Sequence, residues 1–394
     1  MITKYQLFCE SLRVDMWNVI PQSVKDLQSI FKKSGYKLFV VGGAVRDFLI
    51  SQKLDGDKVF APKDFDLATD ATPNDIIEIL SLNNYKFSEI GKAFGVIMVY
   101  TNDQPEGMEI ATFREDFYGD KLGITRNPDV KFSTIERDVE RRDIPFNAMF
   151  YDLDKKQIID LKGGAKDIED KITRFVGDAN LRIEEDPLRI LRVIRFAARY
   201  QFNISEDTRQ SILENKNKLK TITKERIWEE FKKGFKNAKV FTNYLQLVTD
   251  LDLWPQIFPT VKINTIIKPC DELEVYVAQI LKDNSTADLE RKMIQDFRIE
   301  SDIATKVVFL INLLDLLPDN AFELYKQKIR CKCTPHTIID WLDVNTITAL
   351  RFIRFIDYVP SISAEDLMAR GFKGKELGEE IKRLEKQKFI ELVK

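Results

Sequence analysis

Apolar positions recur along this chain at two intervals, and the balance between them shifts near residue 160. Residues 1–36 read as helical, with Leu7, Leu12, Trp17 and Ile20 apolar and Val24, Leu27 and Phe31 at helical spacing. Leu38, Phe39, Val40 and Val41 form an unbroken apolar run that predicts a strand. That strand meets Gly42 and Gly43, from which a helix continues to Ser51. A loop over 55–62 precedes a short strand over 65–67. Thr72 and Pro73 are a helix start, and that helix runs to about Leu82. Two strands, 95–100 and 108–113, flank a turn at 102–107. Residues 114–133 are polar and carry Gly119, Gly123 and Pro128, which predicts a mobile loop. A helix over 135–150 and a strand near Ile158 complete a mixed α/β region. Beyond residue 161 helical spacing dominates, with helices expected at 183–200, 206–219, 223–236, 241–251, 274–283, 286–296, 302–317 and 336–342. No fixed-period repeat and no low-complexity tail interrupts them.

Two carboxylates, Asp64 and Asp66, sit at i and i+2 of the short strand and so share one face. The Gly42-Gly43 turn lets backbone N–H groups at a helix start approach a phosphate closely. Neither feature alone specifies a site. Together they are parts of one that takes a nucleoside triphosphate and hard divalent cations such as Mg²⁺, with Mn²⁺ an alternative. A pair of such ions activates an attacking hydroxyl and stabilises a leaving oxygen. The dinucleotide fingerprint G-x-G-x-x-G and the phosphate loop G-x-x-x-x-G-K-[ST] are both absent.

Two further clusters carry chemistry. Arg141, Arg142 and Asp143 can clamp a triphosphate and accept a ribose hydroxyl. Asp186 is a suitable N-cap before Pro187, and Arg189, Arg192, Arg195 and Arg199 follow as one stripe. Asp186 and Arg189 lie one turn apart, so a carboxylate and a guanidinium can face a single base edge. Cytosine and adenine each present an amine beside a ring acceptor, and uracil and guanine do not present that pattern there.

Composition narrows the field. The chain has 394 residues, a formal net charge of −2 and 31% charged residues, so any nucleic-acid surface is local. No apolar run is long enough for a membrane span, and the first 30 residues show no signal-peptide pattern. Four scattered cysteines, Cys9, Cys270, Cys331 and Cys333, suit a reducing cytoplasm. A single histidine, His336, excludes multi-histidine zinc sites and a His–Asp phosphohydrolase site.

The ordered motifs VGGAVRD (41–47), DFDLATDATP (64–73), RRDIPFNAM (141–149), ITRFVGDANLRIEEDPLRILRVIRFAAR (172–199), ITKERIWEEF (222–231) and GFKGKELG (371–378) resemble the class II tRNA nucleotidyltransferases. These CCA-adding enzymes share their ancestry with bacterial poly(A) polymerase. The resemblance is specific over about 40–200 and thin from 235 to 365. It implies an α+β nucleotidyltransferase head, a small mixed sheet with helices of the polymerase-beta-like kind, followed by an all-α neck, body and tail. The expected divisions are 1–160, 161–235, 236–325 and 326–394.

For the matched positions the resemblance implies roles. Asp64 and Asp66 would hold the metals, with Glu109 on the strand where related polymerases place a third carboxylate. Gly42, Gly43 and Arg46 would cradle triphosphate and sugar, and Arg141, Arg142 and Asp143 would contact phosphates and ribose. Glu185, Asp186 and Arg189 would read the base, with Glu185 orienting the other two and Arg192 beside them. Residues 115–130, including Asp116 and Arg126, resemble the flexible loop associated with the switch from C to A. Gly91 to Gly95 follow the tRNA-type pattern G-x-x-F-G rather than a basic poly(A)-type one. Ile144-Pro145-Phe146 departs from the family's more frequent Phe-Thr before an apolar residue.

The implied reaction is addition of C, C and A to the 3′ end of tRNA from CTP and ATP by a monomer or weak dimer. Poly(A) addition, CC-only or A-only addition, and a silent head on an RNA-binding protein are the alternatives. Residues 215–239 hold nine Lys/Arg against three acids, among them Lys216, Lys220, Lys232, Lys233 and Lys236; with Lys373 these are the expected tRNA contacts.

Overall fold

Four consecutive apolar residues, β1 (Leu38–Val41), are buried on both faces and lie in the middle of a sheet. The computed structural model describes residues 16–54, 62, 64–117, 129–236, 241–317, 320–347 and 352–393. The chain divides into two units, Met1–Ile222 and Thr223–Lys394.

In the first unit, α1 (Gln22–Lys33) leads to β1, the glycine turn and α2 (Gly43–Leu54). Then come β2 (Asp66–Thr69), α3 (Pro73–Leu82), β3 (Lys86–Ser88), β4 (Val96–Tyr100) and β5 (Met108–Thr112). Thr72 caps α3 through a reciprocal pairing with Asp75, and Pro73 opens it, as the sequence predicts. The two ends of the segment expected as a loop over 114–133 instead pair as antiparallel strands, β6 (Arg114–Phe117) with β7 (Asp129–Phe132), while 118–128 lie outside the described residues. β6 opens with three charged residues, and Val130 and Phe132 of β7 alternate with Asp129 and Lys131 over only four positions, too short a run to stand out among polar neighbours. Arg126 lies outside the described residues.

The helix expected over 135–150 is also corrected. It stops as α4 (Ile135–Glu140), and Phe150–Asp152 forms β8 against β1. Pro145 explains the break: the residue before it, Ile144, is extended (φ −129°, ψ 136°), and a single 3₁₀ turn follows. The unit continues with β9 (Gln157–Ile159), α5 (Gly164–Glu169), β10 (Ile172–Thr173), α6 (Ala179–Glu185), α7 (Arg189–Tyr200), β11 (Asn203–Ile204) and α8 (Glu206–Asn215). The helix expected over 183–200 is thus two helices, parted at Asp186 and Pro187.

The main sheet runs β3-β4-β5-β2-β1-β8-β9, with β2 and β5 parallel and every other neighbour antiparallel. Phe39, Phe113 and Phe150 meet at its centre with ring centroids 5.5–6.3 Å apart. Val139, Ala148 and Val176 join that core, so the segments bearing the RRD motif are anchored to the sheet.

The second unit is helical: α9 (Lys224–Phe235), α10 (Phe241–Asp250), α11 (Trp254–Ile257), α12 (Leu273–Leu281), α13 (Thr286–Gln295), α14 (Ser301–Leu313), α15 (Ala321–Cys331), α16 (Pro335–Val344), α17 (Ile353–Asp357), α18 (Ala364–Ala369) and α19 (Gly374–Val393). One aromatic cluster joins Phe231, Phe241, Tyr244 and Tyr276, and another joins Tyr325, Tyr358 and Phe389. Among the described residues no helix is long and apolar enough to cross a membrane, and Cys270, Cys331 and Cys333 are free buried thiols.

Candidate nucleotide site

Strand register builds the first part of the site. Val41 pairs with Asp66 across β1 and β2, so Asp66 stands beside the Gly42-Gly43 turn. Gly42 has φ +71°, a left-handed conformation that disfavours any side chain. Its N–H donates to the Met149 carbonyl at 3.3 Å and its carbonyl accepts from Arg46 N–H at 3.1 Å. The turn therefore passes directly into the N-terminus of α2, where backbone N–H groups have no intrahelical partner.

The parallel register of β2 and β5 pairs Leu67 with Ile110, and so sets Glu109 on the strand next to Asp66. Asp64 lies ahead of β2 rather than inside a strand, and its side chain is exposed. Asp66 is exposed as well, at the start of β2. It is pushed up to about 6, first by desolvation from the protein around it and next by the charge of Glu109. Arg142 and Arg46 pull it down and Asp64 adds to the rise. Among the described residues no group of three or more His, Cys, Asp or Glu is drawn together tightly enough to hold a metal by itself. The donor set is nonetheless hard oxygen carrying excess negative charge. It suits a divalent cation that takes its remaining ligands from phosphate and water.

A buried carboxylate that the sequence reading passed over organises the arginines. Asp138, 1% exposed on α4, accepts from Arg141 on one oxygen (Nε 2.9 Å, Nη2 2.7 Å) and from Arg142 on the other (Nε 2.9 Å, Nη2 2.8 Å). It is held below the ordinary carboxylate range by those guanidiniums, against the opposing effect of burial. The signal was present: Asp138 precedes Arg141 and Arg142 by three and four residues, the spacing of one helical face. Arg142 also stacks on Phe150, 4.9 Å from the ring centre. Asp116, on β6, accepts from Arg114 at 3.0 Å and lies 3.7 Å from Arg141.

The helix pair α6 and α7 is seated on this segment. Asp186 is extended (φ −151°, ψ 99°) where α6 ends, and its Oδ1 accepts from Leu188 N–H at 3.2 Å, closing the turn that leads into α7. Glu185 pairs with Arg182 at 2.7 Å and with Arg189. Arg189 donates its other amino group to the Arg141 carbonyl at 2.8 Å. Arg192 donates to Asp143 Oδ2 at 2.6 Å. Burial would raise Asp143, but Arg192 foremost holds it down to about 2. Arg199, further along the stripe, reaches Asp47 at 3.6 Å, and Arg195 stacks on Phe196.

The expected basic contacts are dispersed. Lys220, Lys233, Lys236 and Lys373 are exposed and Lys216 is half-buried. Lys232 is engaged by Glu229 at 2.7 Å and by Glu300.

Two family models match the chain: "Poly A polymerase head domain" over residues 38–174 and "Probable RNA and SrmB- binding site of polymerase A" over residues 201–263. The chain is 30% identical over 293 residues to poly(A) polymerase I of Salmonella typhi, covering 72% of this chain and 59% of that one. It is 31% identical over 344 residues to the CCA-adding enzyme of Lactobacillus helveticus, covering 83% of this chain and 79% of that one. The chain thus spans about three fifths of the poly(A) polymerase it matches and most of the CCA-adding enzyme. The fold is similar to that of the Bacillus stearothermophilus CCA-adding enzyme in complex with CTP, with a TM-score of 0.69 and 22% identity over 93% of this chain and 92% of that one.

Proposed function

The chain belongs to the family of CCA-adding enzymes and bacterial poly(A) polymerases, and from that premise we propose that it adds C, C and A to the 3′ end of tRNA, using CTP and ATP and releasing pyrophosphate. The observation that carries this reading is the seating of α7 on the RRD segment, through Arg189 on the Arg141 carbonyl and Arg192 on Asp143. It joins the helix proposed to read the base to the segment of Arg142, whose charge acts on Asp66.

In this proposal Asp64 and Asp66 hold Mg²⁺, or Mn²⁺, with Glu109 adding negative charge beside them. When bound, the cations lower the pKa of the attacking hydroxyl and offset charge on the phosphates. The protein groups do the positioning. N–H groups at the start of α2 and the guanidiniums of Arg46, Arg141 and Arg142 bind the triphosphate. Asp143, kept ionised by Arg192, accepts a ribose hydroxyl. Asp186 accepts the exocyclic amine of C or A, and Arg189, oriented by Glu185, donates to the ring nitrogen. Asp116 and Arg126 belong to the segment that adjusts this elbow between C and A. Lys216, Lys220, Lys232, Lys233, Lys236 and Lys373 contact tRNA phosphates, and binding weakens steeply with salt. The proposal keeps head 1–160, neck 161–235, body 236–325 and tail 326–394, acting as a monomer or weak dimer in the cytoplasm.

Poly(A) addition is the second reading, favoured by the match to poly(A) polymerase I. The test is incubation of the full chain with Mg²⁺, labelled CTP and ATP, and tRNA ending at the discriminator base. The proposal expects three additions in the order C, C, A and none from UTP or GTP. A long A tract identifies a poly(A) polymerase, addition stopping at CC or needing a CC end identifies a partial enzyme, and no transfer leaves an RNA-binding protein with a silent head.

A further inference from the structure

Arg46 is 6% exposed and three of its faces are committed. Its Nε donates to Asp47 Oδ1 at 2.7 Å and its Nη1 donates to Asn147 Oδ1 at 2.6 Å. Its guanidinium carbon lies 5.0 Å from the Phe196 ring centre and 5.4 Å from that of Tyr200. Those two rings are nearly parallel, 5° apart with centroids at 6.3 Å, and Phe146 meets both edge-on. The remaining amino group, Nη2, lies 3.6 Å from where a Gly43 side chain would begin, over the glycine turn.

Tyr200 closes this arrangement. Its hydroxyl donates to Asp47 Oδ1 at 2.6 Å, the same oxygen that receives Arg46 Nε. Burial pushes the phenol above its ordinary range, so it stays a donor. One side chain at the C-terminal end of α7 thus supplies both a ring under the Arg46 guanidinium and a hydrogen bond to the carboxylate that fixes its torsion. An arginine side chain loses considerable rotamer freedom when it is ordered. Fixing it before the ligand arrives removes that cost from binding.

We propose that Tyr200 is a positioning residue for triphosphate binding: through Asp47 and its own ring it fixes Arg46 with Nη2 over the Gly42-Gly43 turn. This rests on the reading of that turn as the phosphate site. Base choice belongs to the other end of α7, so Tyr200 acts on all nucleotides alike.

The experiment compares full-length wild type with Tyr200→Phe, Arg46→Lys and the double variant, using tRNA ending at the discriminator base. KM and kcat are measured for CTP and ATP, together with inhibition by inorganic tripolyphosphate, a probe that has phosphates and no base. Tyr200→Phe keeps the ring and removes one hydrogen bond. It should raise KM for CTP and ATP by the same factor, about two- to tenfold, with kcat nearly unchanged. Tripolyphosphate inhibition should weaken by that factor, and preference for C and A over U and G should hold. In the Arg46→Lys background the hydroxyl deletion should add little, because the two act as one unit. Unchanged KM and unchanged tripolyphosphate inhibition in a Tyr200→Phe protein that only melts earlier would overturn the inference and leave the proposed function standing. An equal KM effect in the Arg46→Lys background would overturn it too. Wild type that transfers nucleotides yet is not inhibited by tripolyphosphate would remove the phosphate reading of the turn, and the inference with it.

Discussion

Two helix starts carry residues of the proposed site, and they are built from opposite materials. α2 begins at Gly43 after a glycine with φ +71°, so its end offers bare backbone donors. α7 begins after Asp186 and Pro187, where the Asp186 side chain holds Leu188 N–H in the turn before the helix and charged groups crowd that turn. The difference fits what each end would recognise under the proposed function. Every nucleoside triphosphate carries the same phosphates, and backbone N–H groups read those without discrimination. Bases differ only in donors and acceptors along an edge, and reading them takes side chains of definite polarity. One end is therefore expected to set affinity and rate, the other choice.

The largest effect should come from the carboxylate beside the first of these ends. Asp66→Asn removes a charge that stands in the fields of Glu109 and Asp64. If the phosphate end governs rate, transfer of C and of A should fall together, on the order of 10³-fold, as when preorganised transition-state stabilisation is lost. Binding of tRNA, followed by filter retention or anisotropy, should change little. Loss of A addition alone would break the division of labour.

The elbow should behave the other way. Asp186→Ala removes the proposed acceptor for the base amine together with the turn bond from Leu188 N–H. Discrimination of C and A from U and G should drop by about 10- to 100-fold, the worth of one good base-edge contact. KM for CTP should move less than the selectivity ratio. Measuring incorporation from each of the four nucleotides at equal concentration gives that ratio. Selectivity that survives would show that choice resides elsewhere.

Parts of this arrangement could be read from the chain alone, and the reason lies in how local each signal is. The apolar run 38–41, the glycine pair, and the Thr72–Pro73 helix start are encoded by neighbours, and each appears where the pattern puts it. Asp186 and Pro187 carried a helix-start signal of the same local kind, but helical spacing over 183–200 ran through it, and the break between α6 and α7 was not read. The pairing of β6 with β7 stayed hidden because Arg114, Glu115 and Asp116 look like loop residues until Lys131 and Phe132 pair with them. β8 was absorbed into a helix because Phe146, Ala148 and Phe150 suit either element, and Pro145 had to be weighed more heavily. Contacts such as Tyr200 with Asp47 join residues 153 positions apart, and no spacing rule reports them. Asp138 lies between the two cases, since its helical offset from Arg141 and Arg142 was visible but its burial was not.

The seam between the two ends can be tested by pH. Asp143 is held down to about 2 by Arg192, against an ordinary value of 3.8. A depressed carboxylate stabilises the fold above its unfolded pKa, and that contribution is lost as pH falls from about 4 toward 2. For Asp143 it amounts to about 2 kcal/mol. Asp167, pushed up to about 6 by burial despite Arg174, runs the other way and costs stability as pH rises from about 4 through 6. The difference between wild type and Arg192→Met cancels Asp167 and isolates the seam. Urea unfolding should show Arg192→Met less stable by about 2 kcal/mol at pH 7, with the gap narrowing below about pH 4 and closing only toward pH 2. A gap independent of pH would mean that packing, and not the ion pair, joins α7 to the RRD segment.

The smallest effect is also the most discriminating one for the phosphate end. Gly42 and Gly43 are adjacent but not equivalent. An alanine at Gly42 must adopt φ +71°, at a cost of about 1–2 kcal/mol in stability. An alanine at Gly43 meets no such strain, and its methyl group would find only Arg46 Nη2, at an ordinary 3.6 Å. Replacing glycine at an unstrained helical position stabilises a protein by about 0.4–1 kcal/mol. Gly43→Ala should therefore melt at the same temperature as wild type or slightly higher. The same methyl stands where a phosphate would approach the start of α2, so KM for CTP and ATP should rise together by a few-fold. Thermal melts and initial rates on one preparation read both quantities. A stabilised Gly43→Ala protein with unchanged KM would show that the turn is bare for the sake of the chain's path alone, and that the backbone at α2 does not read the phosphates.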